Sequence, residues 1–405
     1  MALLSIFIAV LFLYSLVSGR LERTSLTAPI VFTLAGMLAL LFLPELRDRE
    51  GSPAVFLLLA EIGLVMLLFT DASRVDLRLL KDTRSLPARL LSTGMLLTLL
   101  LGALGALLVF PQLTIWEAGI LAAILAPTDA GLGQAIVNSP RVPLPIRQAL
   151  NVEAGLNDGL SVPFLLFFMG LAGAGGDSPR LARFIVEQLG GGVLIGIVFG
   201  YLGGWLLDLA QRKSWMAEPF QQLGLVAIPL FCIIASEAFG ASMFIAAFVA
   251  GLAAQVSFKE AGRHASEFTE QWGQILNYSV FFLFGIMFMR EWQDLKMLYI
   301  LYAIVSLTIV RMLPVAVSLI GAGQNKPTIL FMGWFGPRGL ASIVLGLVYL
   351  ESVAHQAAEP IIRLAVMATV FLSIFLHGFS TKPGIAIYAR RVGGNDAESG
   401  RVDEL

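Results

Sequence analysis

The residues best suited to chemistry lie in one apolar stretch, 151–161, which reads NVEAGLNDGLS. In a helix, Glu153 and Asn157 are four residues apart and share a face, with Asp158 about 100° further round. The carboxylate of Asp158 is a hard oxygen ligand that suits a small cation. A partly dry pocket disfavours its charged form, so the same oxygens would accept a proton near neutral pH. A cation and a proton would therefore compete for Asp158.

The neighbour of Asp158 limits the number of protons that this position can take up. Asn157 cannot titrate, so Asp158 is the proton acceptor of the pair. This arrangement favours a one-for-one, electroneutral exchange of a monovalent cation for a proton. The alternative is an Asn–Asp pair that only ties helices together.

Two other stretches place proline among glycines in the middle of apolar runs. The first reads ILAPTDAGLG over 124–133, and the second reads GWFGPRGL over 333–340. Proline removes a backbone donor and clashes with the preceding turn, so Pro127 and Pro337 predict breaks in two helices. Irregular backbone at membrane depth persists only where protein buries it or where it lines a watery cavity. Two such breaks in corresponding places predict inverted repeats whose interrupted helices cross at a transport site.

The two predicted breaks carry opposite charges. The first offers Thr128 and Asp129, and the second offers Arg338. Half-helix ends carry partial charges, which an acid at one break and a base at the other can neutralise. The alternative for the first stretch alone is a proline kink capped by Thr128 and Asp129. The pairing of the breaks favours a transporter.

Several more polar side chains lie in apolar runs, where a charge costs at least about a few kcal/mol and needs a partner or a function. We predict a buried ion pair between Glu153 and Arg338, with Arg311 as a second structural base. Asp71 could reach the site as a gate or accessory ligand, or face the basic loop that follows it. His377 could sense pH, but a lone histidine near a helix end is more often hydrogen-bonded packing.

The elements that must position these residues are membrane helices. The chain has 405 residues, of which 57% are apolar and 14% are charged, so lipid must be its solvent. A formal net charge of −1 argues against nucleic acid as a partner. One cysteine can build neither a disulfide framework nor a metal site.

We count about thirteen apolar segments of spanning length. They are Ala2–Ser18, Leu26–Leu43, Pro53–Thr70, Leu86–Phe110, Leu113–Val137, Ile146–Ala172, Leu181–Leu209, Leu223–Phe239, Ala241–Val256, Phe268–Met289, Met297–Ile320, Thr328–Leu350 and Ile361–Lys382. Loops after odd-numbered segments and the C-terminal tail hold eighteen Lys and Arg, whereas loops after even-numbered segments hold six. Because cytoplasmic loops carry the basic excess, we predict the N-terminus outside and the C-terminus in the cytoplasm.

Together these runs resemble the monovalent cation/proton antiporter superfamily of sodium/proton exchangers, in its NhaP-like branch. The similarity covers essentially the whole chain. Its specific parts are Thr128-Asp129, Glu153 with Asn157-Asp158, and Pro337-Arg338-Gly339. The Asn-Asp pair looks like the electroneutral branch of that superfamily rather than the electrogenic branch, which has Asp-Asp.

The resemblance implies an all-α polytopic fold of about thirteen helices over residues 1–383, followed by a short cytoplasmic tail, 384–405. A core part would move like an elevator against a scaffold part, which would also form a homodimer. The core would comprise approximately 86–175 and 296–383, and the scaffold approximately 1–82 and 181–290.

The resemblance also implies an activity and a location. The protein would be an integral, multi-pass protein of a prokaryotic inner membrane and would not be an enzyme. It would exchange Na⁺, or alternatively Li⁺ or K⁺, for protons in pH homeostasis. Its partners would be these ions, the lipid bilayer and a second copy of itself, and it would need no cofactor.

Roles carry over to matching positions of this chain. Asp158 would bind the cation or the proton, and Asn157 would order the site. Thr128 would add a carbonyl or hydroxyl oxygen, with Asp129 beside it. Asp71 matches an acidic residue that members of the superfamily place at the end of the third helix.

Two further positions concern the surroundings of the site. Glu153 and Arg338 match a buried ion pair of the superfamily. Many members place a serine directly after the glutamate, whereas this chain has Ala154. One expected hydroxyl ligand is therefore missing, and water or Thr128 would have to replace it.

Two other functions share some of these sequence features. Intramembrane aspartyl proteases also place two aspartates on neighbouring helices, but their Gly-x-Gly-Asp and Tyr-Asp patterns do not occur at Asp129 and Asp158. A sodium-coupled symporter of an organic anion could use a similar inverted-repeat scaffold. An antiporter accounts for both breaks and for the Asn-Asp pair.

Overall fold

The computed structural model describes residues 2–21, 24–42, 53–74, 85–174, 178–258, 273–352 and 358–399. Within these ranges every regular element is helical. In chain order the main helices are α1 (Ala2–Leu21), α2 (Ala28–Phe42), α3 (Pro53–Arg74), α4 (Leu86–Val109), α5a (Ile115–Leu125), α5b (Ala130–Val137), α6 (Leu144–Ala174), α7 (Pro179–Arg212), α8 (Glu218–Phe239), α9 (Met243–Ser257), α10 (Gln274–Glu291), α11 (Met297–Ser318), α12a (Lys326–Trp334), α12b (Leu340–Ser352) and α13 (Glu359–Ser399).

The described helices include enough long, apolar ones for a multi-pass membrane protein. By length and composition, eight of them can cross a membrane: α1, α4, α5, α6, α7, α8, α11 and α13. Shorter apolar helices are α2, α9 and α12b. The all-helical fold is confirmed, whereas the count of about thirteen crossings stays a prediction. The predicted segment ends Leu43 and Phe268, and much of the basic charge in the loops, lie outside the described residues.

Local sequence explains where several helices begin. The hydroxyl of Thr114 accepts the N–H of Glu117, and the Glu117 carboxylate accepts the N–H of Thr114 at 2.7 Å, which caps the start of α5a. Asn325 caps α12a by accepting the N–H of Thr328 at 2.9 Å. Such caps satisfy backbone donors that a helix leaves open at its first turn.

The last helix is longer than the sequence predicts. The tail expected from residue 384 is helical as far as Ser399, because α13 continues through Pro383. Beyond the proline, the ring of Tyr388 stacks on Phe331 at a centroid distance of 4.2 Å, and its hydroxyl bonds Thr328. Packing on α12a thus outweighs the hydrogen bond that proline removes. Residues 400–405 of the predicted tail lie outside the described part.

The helices pack as two groups that meet along α6. In one group, α2 lies along α10, and α9 packs against α3, α7 and α8. In the other, α5 packs on α4 and α6, and α11 packs on α4, α12a and α13. Contacts between the groups run from α3 and α9 to α6, and from α3 and α10 to α12b. Movement of one group against the other stays a prediction.

Glycines allow α2 and α10 to touch backbone to backbone. A Cβ added at Gly36 would overlap the carbonyl of Phe282, and one added at Gly285 would overlap the carbonyl of Thr33. Small residues are the usual means of close helix approach in lipid, where no hydrophobic effect drives association.

We expect Gly285→Ala to lower the thermal unfolding midpoint in detergent, because an added methyl must separate α2 from α10 at a cost of about 1–3 kcal/mol. Gly173→Ala is the matched control, since an added Cβ there meets no atom within 4 Å. Equal midpoints for the two variants would contradict this account of the packing.

Candidate functional site

Both predicted helix breaks are present, and they contact each other. The helical path stops around Pro127, between α5a and α5b, and around Pro337, between α12a and α12b. The backbone N–H of Asp129 donates to the carbonyl of Pro337 at 2.7 Å. Four half-helix ends therefore meet at one buried crossing.

One carboxylate caps the two half-helices that begin at the crossing. Oδ1 of Asp129 accepts the N–H of Leu132 in α5b at 2.9 Å, and Oδ2 accepts the N–H of Leu340 in α12b at 2.6 Å. The negative charge also faces the positive ends of both helix dipoles. A Cβ added at Gly339 would overlap this carboxylate, so the shared cap requires glycine there.

Arg338 serves the half-helix that ends at the crossing. Its Nη1 donates to the carbonyls of Ala126 at 2.5 Å and Pro127 at 2.8 Å, and the side chain is fully buried. These carbonyls lie at the negative end of α5a, where a cation is favourable. Asp129 at the first break thus caps the helix that begins after the second break, and Arg338 at the second break caps the helix that ends at the first.

The predicted ion pair between Glu153 and Arg338 is wrong in its partner. Nη1 and Nη2 of Arg311 on α11 donate to Oε1 and Oε2 of Glu153 at 2.5 and 3.0 Å. Both side chains are buried. A bidentate arrangement is the strongest contact between a guanidinium and a carboxylate. Arg338 is engaged elsewhere, because its guanidinium caps α5a.

The predicted pairing and the observed one can be separated in a double-mutant cycle. We expect Arg311→Gln to lower the unfolding midpoint strongly, because stranding buried Glu153 costs about 3–5 kcal/mol. Adding Glu153→Gln should recover part of that loss. Glu153→Gln combined with Arg338→Gln is the control pair, and its coupling should be clearly smaller. Equal coupling in the two pairs would contradict the assignment.

Asn157 joins α6 to the break in α5. Its Nδ2 donates to Oγ1 of Thr128 at 2.7 Å, and its Oδ1 accepts the N–H of Thr128 at 3.2 Å. Because both ends of the amide are engaged, its orientation is fixed by the surrounding bonds. The next residue along α6, Asp158, is thereby brought beside the crossing.

Two carboxylate oxygens near this point are buried and have no hydrogen-bond partner among the described residues. They are Oδ1 of Asp158 and Oδ2 of Asp71. Asp71 faces α6, since a Cβ added at Gly155 would lie 3.2 Å from its Cβ. Gly155 and Asp158 are three residues apart and so lie on neighbouring parts of one helix face. Buried polar atoms without partners are rare in folded proteins and call for an explanation.

A large cavity and a small crevice lie in different parts of the bundle. The cavity, of about 530 Å³, lies between the two helix groups and is lined by Glu61, Leu166, Phe244 and Tyr349 among others. The crevice, of about 20 Å³, is lined by Thr128, Asp129 and Ala154 among others. Asp158 lines neither and is only 3% exposed.

An aromatic side chain that the sequence analysis passed over lies beside Asp158. The ring of Phe248 on α9 packs so closely on α6 that a Cβ added at Gly159 would overlap it. Phe248 is one of 28 phenylalanines in the chain, and no local pattern distinguishes it. The role of Arg311 was similarly hidden, because spacing cannot show which of two deep arginines meets Glu153.

Comparison with known proteins identifies related sequences and a related fold. The family model described as "Sodium/hydrogen exchanger, transmembrane" matches residues 6–386. The sodium proton antiporter MjNhaP1 from Methanocaldococcus jannaschii has the same fold, with a TM-score of 0.71 at 20% identity over 93% of this chain and 99% of that one.

Three curated relatives are named as antiporters of a monovalent cation and a proton. A Na⁺/H⁺ antiporter of Schizosaccharomyces pombe is 26% identical over 67% of this chain and 64% of its own length. The K⁺/H⁺ antiporter NhaP of Alkalimonas amylolytica is 26% identical over 93% and 65%. A sodium, potassium, lithium and rubidium/H⁺ antiporter of Bacillus subtilis is 26% identical over 62% and 37%. This chain therefore spans less than two thirds of the length of these relatives.

Proposed function

The chain belongs to the sodium/hydrogen exchanger family, and from that membership we propose that it exchanges a monovalent cation for a proton at Asp158. The observation that carries the proposal is the buried Oδ1 of Asp158, which has no hydrogen-bond partner in the described residues. A bound cation or a proton would supply that partner and neutralise the carboxylate.

The cation would be held by oxygens that the fold leaves uncommitted. Oδ1 of Asp158 and Oδ2 of Asp71 are the carboxylate candidates. Thr128 adds a hydroxyl whose position Asn157 fixes. We assign Asp129 a supporting role, since both of its oxygens already accept backbone N–H groups. Hard oxygen ligands of this kind suit alkali cations.

The crevice beside Ala154 gives a place for the hydroxyl ligand that the sequence lacks. Its volume of about 20 Å³ is enough for one water molecule, which needs roughly 10–15 Å³ on this measure. Thr128 and Asp129 supply polar groups on its wall. A water there would complete the ligand set in place of a serine hydroxyl.

Competition at one carboxylate accounts for obligatory exchange. Leaving Asp158 charged and unpaired in a buried site is costly, so either a cation or a proton must accompany it between the two sides. Asn157 is neutral and engaged with Thr128, so it adds no further titrating group. With Asp71 keeping one protonation state throughout the cycle, the exchange is one cation for one proton, without net charge movement.

Alternating access would come from sliding of α6 and its group against α3 and α9. The large cavity lies along this boundary, and Phe248 of α9 covers the helix face next to Asp158. In the predicted orientation, with the N-terminus outside, the cavity opens to the exterior. Movement of α6 past Phe248 would bring Asp158 into contact with one side of the membrane or the other.

The remaining expectations stand as proposals. The moving part would comprise approximately 86–175 and 296–383, and the scaffold approximately 1–82 and 181–290, through which two copies would associate. Na⁺ is the first choice of cation because the names of most relatives include it, and K⁺ and Li⁺ are the alternatives.

Asp158→Asn should abolish exchange, because an amide can neither release a proton nor neutralise a cation. The measurement is Na⁺- or K⁺-driven pH change inside proteoliposomes that contain a pH dye. Asp208→Asn is the control, since Asp208 pairs with Arg212 on α7, away from the crossing. Retained exchange in Asp158→Asn, with the protein folded, would refute the site.

Electroneutral exchange predicts that membrane voltage leaves the rate unchanged. We expect the same initial rate at 0 mV and at an imposed potential of about 100 mV, which would bias each transported net charge by about 2.3 kcal/mol. Valinomycin with set K⁺ gradients imposes the potential, with Na⁺ as the driving cation. A rate that changes severalfold with voltage would contradict a one-for-one exchange.

A further inference from the structure

A chain of hydrogen bonds on α13 connects the two sides of the α12 break. The backbone N–H of Arg338 donates to Oγ of Ser373 at 2.6 Å. Oγ of Ser373 lies 3.1 Å from Nδ1 of His377, and Nε2 of His377 lies 2.9 Å from the carbonyl oxygen of Trp334. The chain therefore runs from Arg338, two residues before α12b, to Trp334, the last residue of α12a.

The chemistry of the partners limits where the hydrogens of this chain lie. The carbonyl of Trp334 can only accept, so Nε2 of His377 carries a hydrogen and donates to it. Nδ1 accepts the hydroxyl hydrogen of Ser373 when it carries no hydrogen, and donates to an oxygen of Ser373 when it is protonated; in both states the hydroxyl oxygen of Ser373 accepts the N–H of Arg338. Nδ1 also lies 3.0 Å from the backbone oxygen of Ser373. Arg338, Ser373 and His377 are at most 1% exposed, so water cannot replace these bonds.

Helix α13 also binds the side chain of Trp334. The indole Nε1 donates to Oγ of Ser380 at 2.9 Å, one turn beyond His377 on α13. The end of α12a is thus fixed to α13 through both its carbonyl and its indole. Together with the bond between Arg338 and Ser373, these contacts tie both sides of the α12 break to α13.

The width of the α12 break bears on the cation site through Arg338. Its backbone is held by Ser373, and its guanidinium caps the carbonyls of Ala126 and Pro127. The next residue, Thr128, bonds Asn157, which is the neighbour of Asp158. A continuous set of buried contacts therefore joins His377 to the site.

We propose that His377 is a positioning residue for cation binding, which acts through Ser373 and Arg338 and does not touch the cation. The proposal rests on exchange at Asp158. Groups that hold metal ligands in place commonly change affinity when they are replaced, even though they do not contact the ion. His377 therefore sets the affinity of the site, while the rate of the sliding movement depends on other contacts.

The test compares His377→Leu with His377→Gln in the proteoliposome assay. Leucine fills the space without a donor, whereas the glutamine amide keeps a donor that can reach the carbonyl of Trp334. We expect His377→Leu to raise the apparent KM for the cation about tenfold, with a much smaller change in maximal rate. His377→Gln should restore most of the wild-type KM.

Thr369→Val is the matched control on α13. Thr369 is buried like His377, but among the described residues its hydroxyl bonds only the carbonyl of Ala365 in its own helix, at 2.7 Å. It should keep the wild-type KM. A KM in Thr369→Val as high as in His377→Leu would overturn the proposal, because any lost polar group in α13 would then have the same effect.

A second measurement separates positioning from folding and from the function itself. Cation-induced stabilisation of purified protein reports binding without transport, and His377→Leu should need about tenfold more Na⁺ for the same rise in unfolding midpoint. If that variant does not fold, Ser373→Ala replaces it, since the link to Arg338 is lost while the Trp334 contact stays. Wild-type KM in the folded variant overturns this inference, whereas wild-type protein that fails to exchange overturns the proposed function.

Discussion

The structure depends on the satisfaction of backbone groups where two interrupted helices cross inside the bilayer. Lipid offers no hydrogen bonds, so each N–H and C=O that a break exposes must find a protein partner. Asp129 meets this demand for the N–H groups that begin α5b and α12b, and Arg338 meets it for the carbonyls that end α5a. His377 does so for the end of α12a. The crossing is held by these contacts, and the site is built on them.

The same requirement distinguishes the buried charged groups whose bonding partners lie within the protein from those that still have an oxygen without a partner. Glu153 and Arg311 neutralise each other, and Asp129 and Arg338 are held by backbone groups at the crossing. Asp158 and Asp71 each keep a buried oxygen that has no hydrogen-bond partner among the described residues. Fixed donors stabilise the charged form of a carboxylate. A buried carboxylate without donors is instead stabilised most by binding a proton or a cation. These two oxygens are therefore the part of the described polar network at which we propose that ions are exchanged.

The sequence predicts local features well and long-range partners poorly. Pro127 and Pro337 act on their own turns of helix, so the breaks can be read from a few residues. The partner of Glu153 cannot be read from a few residues, because Arg311 and Arg338 both lie deep in apolar segments. The packing of α11 is what places Arg311 against the glutamate. Pro383 suggests a helix end, yet contacts of Tyr388 with α12a keep the helix going. No local pattern distinguishes Phe248, because its close packing on α6 depends on Gly159, which is distant in the sequence.

The cap that Asp129 shares between α5b and α12b also has a bearing on biogenesis. The ribosome delivers the N-terminal half of the chain to the membrane first, when Leu340 and Arg338 have not yet been made. During that interval the carbonyls of Ala126 and Pro127 lack their guanidinium, and Oδ2 of Asp129 lacks its donor, the N–H of Leu340. The first half must therefore wait as an incompletely packed intermediate, with its polar break held near water or by the insertion machinery.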